Sequence, residues 1–215
     1  MMKKIFCILL IVAMVFTMAA CGNKPSAQNT DEEEIMSPTQ TLDAFLKAFK
    51  ARDADKLNEF YEGESDDLIF WKDLEDPALA GLMDKMMEKL LDFDYALSNE
   101  KIDGKTATVD VNFTTYNIGG IMKDIIENML SDAAALALSG LTQEELETEI
   151  NEIMTKKFEE YAKIAKKEKV VSVPVNLVMI NGRWLVKDIS RTDDIMDALS
   201  GGLTEFAENI GDIFG

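Results

Sequence analysis

The chain has 215 residues, 47% hydrophobic and 29% charged, the balance of an ordinary globular domain or two small ones. Its 22 Lys and Arg face 40 Asp and Glu, a formal charge of −18, and it contains no His. The missing imidazole excludes Ser-His-Asp and Cys-His catalysis and the usual His-rich metal sites, while the acidic surplus argues against nucleic acid, whose phosphates are held by Lys and Arg.

The first residues read as an address. Met1-Met2-Lys3-Lys4 is a short positive segment, and 5–20 is an unbroken weakly polar to apolar run. As a helix that run spans about 24 Å, short of the roughly 20 residues needed to cross a bilayer. Charge, apolar run and small residues, in that order, are the layout of a secretory signal peptide. The small pair Ala19-Ala20 directly precedes Cys21, and Gly22 follows. This resembles the bacterial lipoprotein signal, with Met18 where that signal usually carries Leu. The resemblance implies diacylglycerol on the Cys21 thiol and cleavage before it. The competing readings are a secreted protein with a chance Cys, or an uncleaved anchor helix. Cys7 would leave with the signal, so the mature chain would have no second Cys for a disulfide. Loss of Lys3 and Lys4 leaves 20 basic against 40 acidic residues, a charge of −20. An anionic bilayer repels such a domain, so lipid rather than a basic patch must hold it. Residues 21–36 (the candidate lipidated Cys, then GNKPSAQNTDEEEIM) are polar and acidic with little to bury, the composition of a disordered tether.

From Ser37 the pattern becomes helical. Ser37 can cap, Pro38 suits the first helical position and Gln40 completes a capping box; Leu42, Phe45, Leu46 and Phe49 then recur at helical spacing. Asp53 opens a short helix with Leu57, Phe60 and Tyr61. Leu68, Ile69, Phe70 and Trp71 form an apolar cluster. Asp76-Pro77 starts a further helix carrying Leu79, Leu82, Met83, Met86, Leu90 and Leu91. The period then changes to two. A strand is expected over 93–102, Asp103-Gly104 turns, and Ala107, Val109, Val111 and Phe113 alternate with polar residues up to Gly119-Gly120, expected to end the strand. Two helices follow: one from Ile121 through Leu130 into 133–138, and one of some 26 residues from the Thr142/Glu145 capping box to Glu168. Val171, Val173, Val175, Leu177 and Met179 alternate before Asn181-Gly182, a strong hairpin turn, and 183–189 returns. Pro174 predicts an edge or a bulge. The last stretch, 193–215, is amphipathic and broken at Gly201-Gly202.

Helices followed by antiparallel hairpins predict an α+β domain over 37–192, with a helical insertion at 119–168 between the two hairpins. Three stretches resemble small bacterial lipoproteins with a nuclear transport factor 2-like fold: 37–53, Asp103-Gly104-Lys105-Thr106-Ala107-Thr108-Val109, and Asn181-Gly182-Arg183-Trp184-Leu185-Val186-Lys187-Asp188-Ile189. The resemblance spans about 37–117 and 169–190. It implies N-terminal helices packed into the concave face of a curved antiparallel sheet, a cone with an open mouth. The insertion is longer than that family's usual connection.

In that family the cone's chemistry uses Asp, Tyr or His. Without His, an enzyme here would need a buried carboxylate of raised pKa beside a Tyr, from Tyr61, Tyr95 or Tyr116 with Asp94 or Asp110. Phe49, Phe60, Tyr95, Phe113 and Trp184 are the candidate pocket-lining residues. Met83, Met86, Met87, Met122, Met129 and Met154 read as core filling. No acidic cluster, including 31–34, Asp66-Asp67 and Asp193-Asp194, has calcium-loop spacing, and Asp53/Asp55 reads as capping, so no metal or cofactor is expected. The resulting expectation is a lipid-anchored, non-catalytic extracytoplasmic binding or interaction protein. Its partners would be the membrane, through the anchor, and an unidentified small molecule or envelope protein. The alternative is a small-molecule enzyme using a carboxylate and a Tyr.

Overall fold

Capping chemistry sets where the first described helices begin. The computed structural model describes residues 35–64, Leu68, 80–137, 140–190 and 193–214. Helix α1 (Pro38–Ala51) opens on a reciprocal box: Gln40 N–H donates to Ser37 Oγ at 3.2 Å, and Ser37 N–H donates to Gln40 Oε1 at 2.8 Å. Helix α2 (Ala54–Phe60) starts on Asp53, whose Oδ1 accepts the Lys56 N–H at 3.1 Å, the role expected for it. Helix α3 is Ala80–Leu90. The sequence readings of 1–34 (the signal, Cys21, most of the tether and the acidic run), of Asp66-Asp67, Ile69-Phe70-Trp71 and Asp76-Pro77 lie outside the described residues.

Four strands follow: β1 (Asp94–Asp103), β2 (Thr106–Thr115), β3 (Lys169–Ile180) and β4 (Arg183–Val186). They form one open antiparallel sheet in the order β1-β2-β3-β4. Helices α4 (Ile118–Ala137) and α5 (Gln143–Ile164) connect β2 to β3, and α6 (Asp194–Leu199) and α7 (Leu203–Phe214) close the chain. The domain is α+β. Positive φ at both Asn181 (52°) and Gly182 (82°) gives the β3–β4 turn the twist that two-residue hairpins favour.

Period-two burial makes one face of the sheet. In β2, Ala107, Val109, Val111 and Phe113 are buried while Thr108, Asp110, Asn112 and Thr114 stay partly open; in β3, Val173, Val175 and Leu177 are buried between exposed neighbours. Helix α1 packs on β1, β2 and β4. Leu42, Phe45, Leu46 and Phe49 meet the sheet's inner face there, with Leu57, Leu68 and Ile195, Met196 and Leu199 of α6 completing the cluster. A second cluster joins Leu82, Met86, Met87 and Leu90 of α3 to Ile118, Met122 and Ile125 of α4 and Phe158 of α5; Met83, Met129 and Met154 pack against it, half-buried. All six methionines serve packing.

Three sequence expectations require correction, and a fourth, an edge or a bulge at Pro174, is met as an edge. Strand β2 stops at Thr115, and Gly119-Gly120 lie inside the first turn of α4, where Gly119 meets the backbone of Gly202. Helix α5 has 22 residues, not 26: Ala165 N–H caps it on Tyr161 O, and Lys167 lies beyond it, drawn to Asp92 and Asp94. Strand β4 has four residues and does not reach Ile189, whose N–H is taken by the Tyr61 hydroxyl at 2.9 Å. Pro174 makes no bulge and sits in register opposite Asp110. The Asn176 carbonyl accepts from Lys187 N–H, so even-numbered residues of β3 turn their backbone groups toward β4. Pro174 is the next of these, beyond β4's end, and its missing donor costs the ladder nothing. The irregularity falls instead in edge strand β1 between Ser98 and Lys101, with Asn99 at φ 55°. A bulge there, with Glu100 and Lys101 beside it, protects an otherwise open edge from pairing with another chain.

Among the described residues one buried group is mismatched. Thr115 Oγ1 is fully enclosed at the end of β2 and has no hydrogen-bond partner among those residues. Removing an orphaned hydroxyl without changing side-chain shape is neutral or favourable. Thr115→Val is therefore expected to keep or raise stability, by up to about 1 kcal/mol in urea unfolding; a loss of that size would reveal a partner for the hydroxyl.

Candidate functional site

The residues expected to line a cone pocket belong to the packed interior. Phe49 and Phe113 are essentially fully buried and Trp184 nearly so, while Phe60 and Tyr95 pack half-buried against the same cluster. Phe113 meets Phe93 edge-on with ring centroids 5.6 Å apart, and Phe93 meets Tyr95 at 6.0 Å. Side chains fill the space between α1 and the sheet.

Each of the three candidate tyrosines is paired with a carboxylate, though not with Asp94 or Asp110. Tyr61 Oη donates to Asp188 Oδ1 at 2.7 Å and accepts from Ile189 N–H, tying the end of α2 to the segment after β4. Tyr95 Oη donates to Asp43 Oδ1 at 2.8 Å, and Lys47 Nζ reaches Asp43 Oδ2 at 2.6 Å. Tyr116 Oη donates to Asp92 Oδ2 at 3.2 Å, and Lys167 Nζ bridges Asp92 at 3.0 Å and Asp94 at 2.9 Å. Lys50 sits over the Phe93 ring and Lys89 over the Tyr116 ring. These partners lie 24 to 127 residues apart in sequence, with no local motif to join them.

The electrostatics oppose acid catalysis at two of these pairs, Asp43–Tyr95 and Asp92–Tyr116. Partial burial pushes Asp43 up, but bonds from Lys47 and Tyr95 and the Lys47 charge outweigh it, so its carboxyl titrates below its usual range. Asp92 behaves alike: partial burial is overcome by the bond and charge of Lys167, the Tyr116 hydroxyl and the Lys50 charge. Burial and the adjacent Asp43 carboxylate in turn push Tyr95 well above the phenolic range. Carboxyls held low in the folded state stabilise it above their unfolded values near pH 4, and that contribution is lost as pH falls through the folded values. Thermal midpoints are therefore expected to be flat near neutrality and to fall below about pH 4. Asp43→Asn and Asp92→Asn should each flatten the acid limb, and an unchanged limb in both variants would contradict this assignment.

Open space lies elsewhere, at the junction of α4 and α7. Asn117 caps α4 with its side chain, Oδ1 accepting the Gly120 N–H at 3.0 Å. Gly119 N–H donates to Gly201 O at 3.1 Å, and a Cβ on Gly119 would lie 2.1 Å from Gly202 O. Gly201 and Gly202 adopt φ of 63° and 87°, a turn that only glycine enters without strain. Backbone thus meets backbone at this point, and beside it a groove of about 500 Å³ opens, lined by Asn117, Lys123, Glu127, Glu205, Phe206, Asn209 and the three glycines Gly119, Gly120 and Gly202. Its volume is in the range of small-molecule sites. Lys123 pairs with Glu127 at 3.8 Å, and Lys169 pairs with Asp197 at 3.0 Å and with Glu205 at 3.8 Å. Two further clefts carry no aromatic side chain: about 400 Å³ between α3 and α5, lined by polar residues and Gly81, and about 220 Å³ beside Pro174 and Lys187. The α4–α7 groove had no sequence signal beyond the paired glycines, which read as strand and helix breaks.

Among the described residues no group of three Asp, Glu, Cys or His is placed to hold a metal ion, and no helix is long and apolar enough to cross a membrane.

No family model matches the chain, and no curated protein matches it. A solved structure of a presumed lipoprotein (ycdA) from Bacillus subtilis is similar at 17% identity with a TM-score of 0.40, covering 82% of this chain and 49% of that one. The chain spans about half the length of that structure, and a likeness of this degree carries no argument about fold or function.

Proposed function

We propose that this chain is a lipid-anchored, extracytoplasmic binding or interaction protein of the bacterial envelope, built on a nuclear transport factor 2-like domain and without catalysis of its own. The anchor is Cys21, preceded by a signal-type apolar run and Ala19-Ala20 and followed by an acidic tether. Two or more acyl chains hold a soluble body stably on a bilayer, and the formal charge of −18 opposes electrostatic attachment to anionic lipid.

The observation that carries the non-catalytic reading is the aromatic filling of the space between α1 and the sheet, where an enzyme of this family type would keep its carboxylate and substrate. With that space occupied, recognition falls to the outer surface, and the helical connection between β2 and β3 supplies it with the α4–α7 groove. An antiparallel sheet with helix α1 packed against it supports the domain reading.

Membrane fractionation tests the reading. The wild-type chain is expected wholly in the membrane fraction with incorporated lipid label, and Cys21→Ser in the soluble fraction without it. A Cys21→Ser protein that stays in the membrane fraction with its lipid label undiminished would overturn the proposal.

A further inference from the structure

The groove's ion pairs restrict what it can hold. Its lysine, Lys123, is matched by Glu127, and Lys169 behind it is matched by Asp197 and Glu205. An anionic ligand would have to break these pairs and meet Glu127 and Glu205, on a chain whose formal charge is −18. A cationic ligand would meet Glu127 already paired with Lys123, and Glu205 sharing the single Lys169 charge with Asp197. Apart from these charged groups the lining offers neutral donors, acceptors and one ring.

The hydrogen-bonding groups are of both kinds. Asn117 Oδ1 is committed to the Gly120 N–H, which fixes the orientation of the amide and leaves Nδ2 with no partner among the described residues. Asn209 Nδ2 donates to Glu205 O at 2.7 Å, leaving its Oδ1 as an acceptor. Lys123 adds donors and Glu127 acceptors, both half-exposed. Phe206 supplies the aromatic surface, and the glycines Gly119, Gly120 and Gly202 keep one wall free of side chains. Donors, acceptors and one aromatic wall in an open groove match a ligand whose rim is hydroxyl and amide and whose faces are C–H.

We infer that the α4–α7 groove is a binding site for a neutral saccharide, the pyranose face lying against Phe206 and its hydroxyl or acetamido groups bonding to Asn117, Lys123, Glu127 and Asn209. This rests on the reading of the protein as a binding module and adds the class of its ligand.

The test uses the mature lipidated protein in detergent, titrated calorimetrically with chitotetraose and with maltotetraose, and in parallel with ATP and with spermine. Saturable heat is expected from at least one oligosaccharide and from neither charged probe. Lys123→Ala and Asn209→Ala, both exposed positions, should weaken it about tenfold, or 1.4 kcal/mol, at unchanged thermal midpoint. Oligosaccharide binding indifferent to both substitutions would put the sugar elsewhere and overturn the site. No heat from either oligosaccharide up to about 10 mM, or binding of ATP or spermine in their place, would overturn the ligand class. Those failures leave the lipid anchor standing, because fractionation of Cys21→Ser tests it separately.

Discussion

Gly119→Ala should destabilise the protein by about 3 kcal/mol, the upper end of what overpacking costs. The added methyl would lie 2.1 Å from the Gly202 carbonyl oxygen and 3.2 Å from Phe206 Cβ. A flexible side-chain end could swing away, but this neighbour is backbone, pinned by the Gly119 N–H bond to Gly201 O and the Gly202 N–H bond to Asp197 O. Either α7 moves off α4 or the start of α4 unwinds. Gly104 makes the contrast: its added Cβ meets nothing within 4 Å, so Gly104→Ala bears only the left-handed backbone cost at φ 60°, roughly 1–2 kcal/mol. Urea midpoints with unchanged slope would measure both. Equal losses in the two variants would mean that the α4–α7 contact is not the tight one described.

Phe113→Ala is expected to cost about 3–5 kcal/mol, the range for emptying a buried aromatic position. The ring is fully enclosed on β2 between Phe93 and the side chains of α1. This variant bears on function as well as stability. If the sheet's inner face enclosed a preformed pocket, Phe113 would line space rather than fill it, and its removal would cost far less. A loss under about 1 kcal/mol in denaturant unfolding would therefore reopen the enzyme reading, which needs room for a substrate there.

Much of the fold was legible because its signals are local. The Ser37 and Thr142 capping boxes, the Asp53 cap, the period-two runs of β2 and β3 and the Asn181-Gly182 turn each act within a few residues, and each forms as its chemistry requires. Element ends were harder to read, because tertiary partners decide them. Lys167 fits the basic end of a helix, yet it is held outside α5 by Asp92 and Asp94. Ile189 fits the β4 pattern, but the Tyr61 hydroxyl takes its N–H.

The candidate site was the least legible part. Gly119-Gly120 and Gly201-Gly202 read as breaks because a lone sequence shows the flexibility of glycine and not what approaches it. Only their meeting across 82 positions makes a helix contact and a groove wall. The tyrosine partners were equally distant: Asp43, Asp92 and Asp188 come from three different connections or helices, and pairing Tyr with the nearest Asp in sequence selected Asp94 and Asp110 instead.

All of the functional account presupposes that this acidic body is held at the envelope by lipid on a single sulfur atom. Intact-mass and fragment-ion analysis of protein purified from the membrane fraction addresses that most directly. The account predicts a chain beginning at Cys21 with a diacylglycerol thioether on that residue. A free thiol at Cys21, or a chain that still carries residues 1–20, would contradict it.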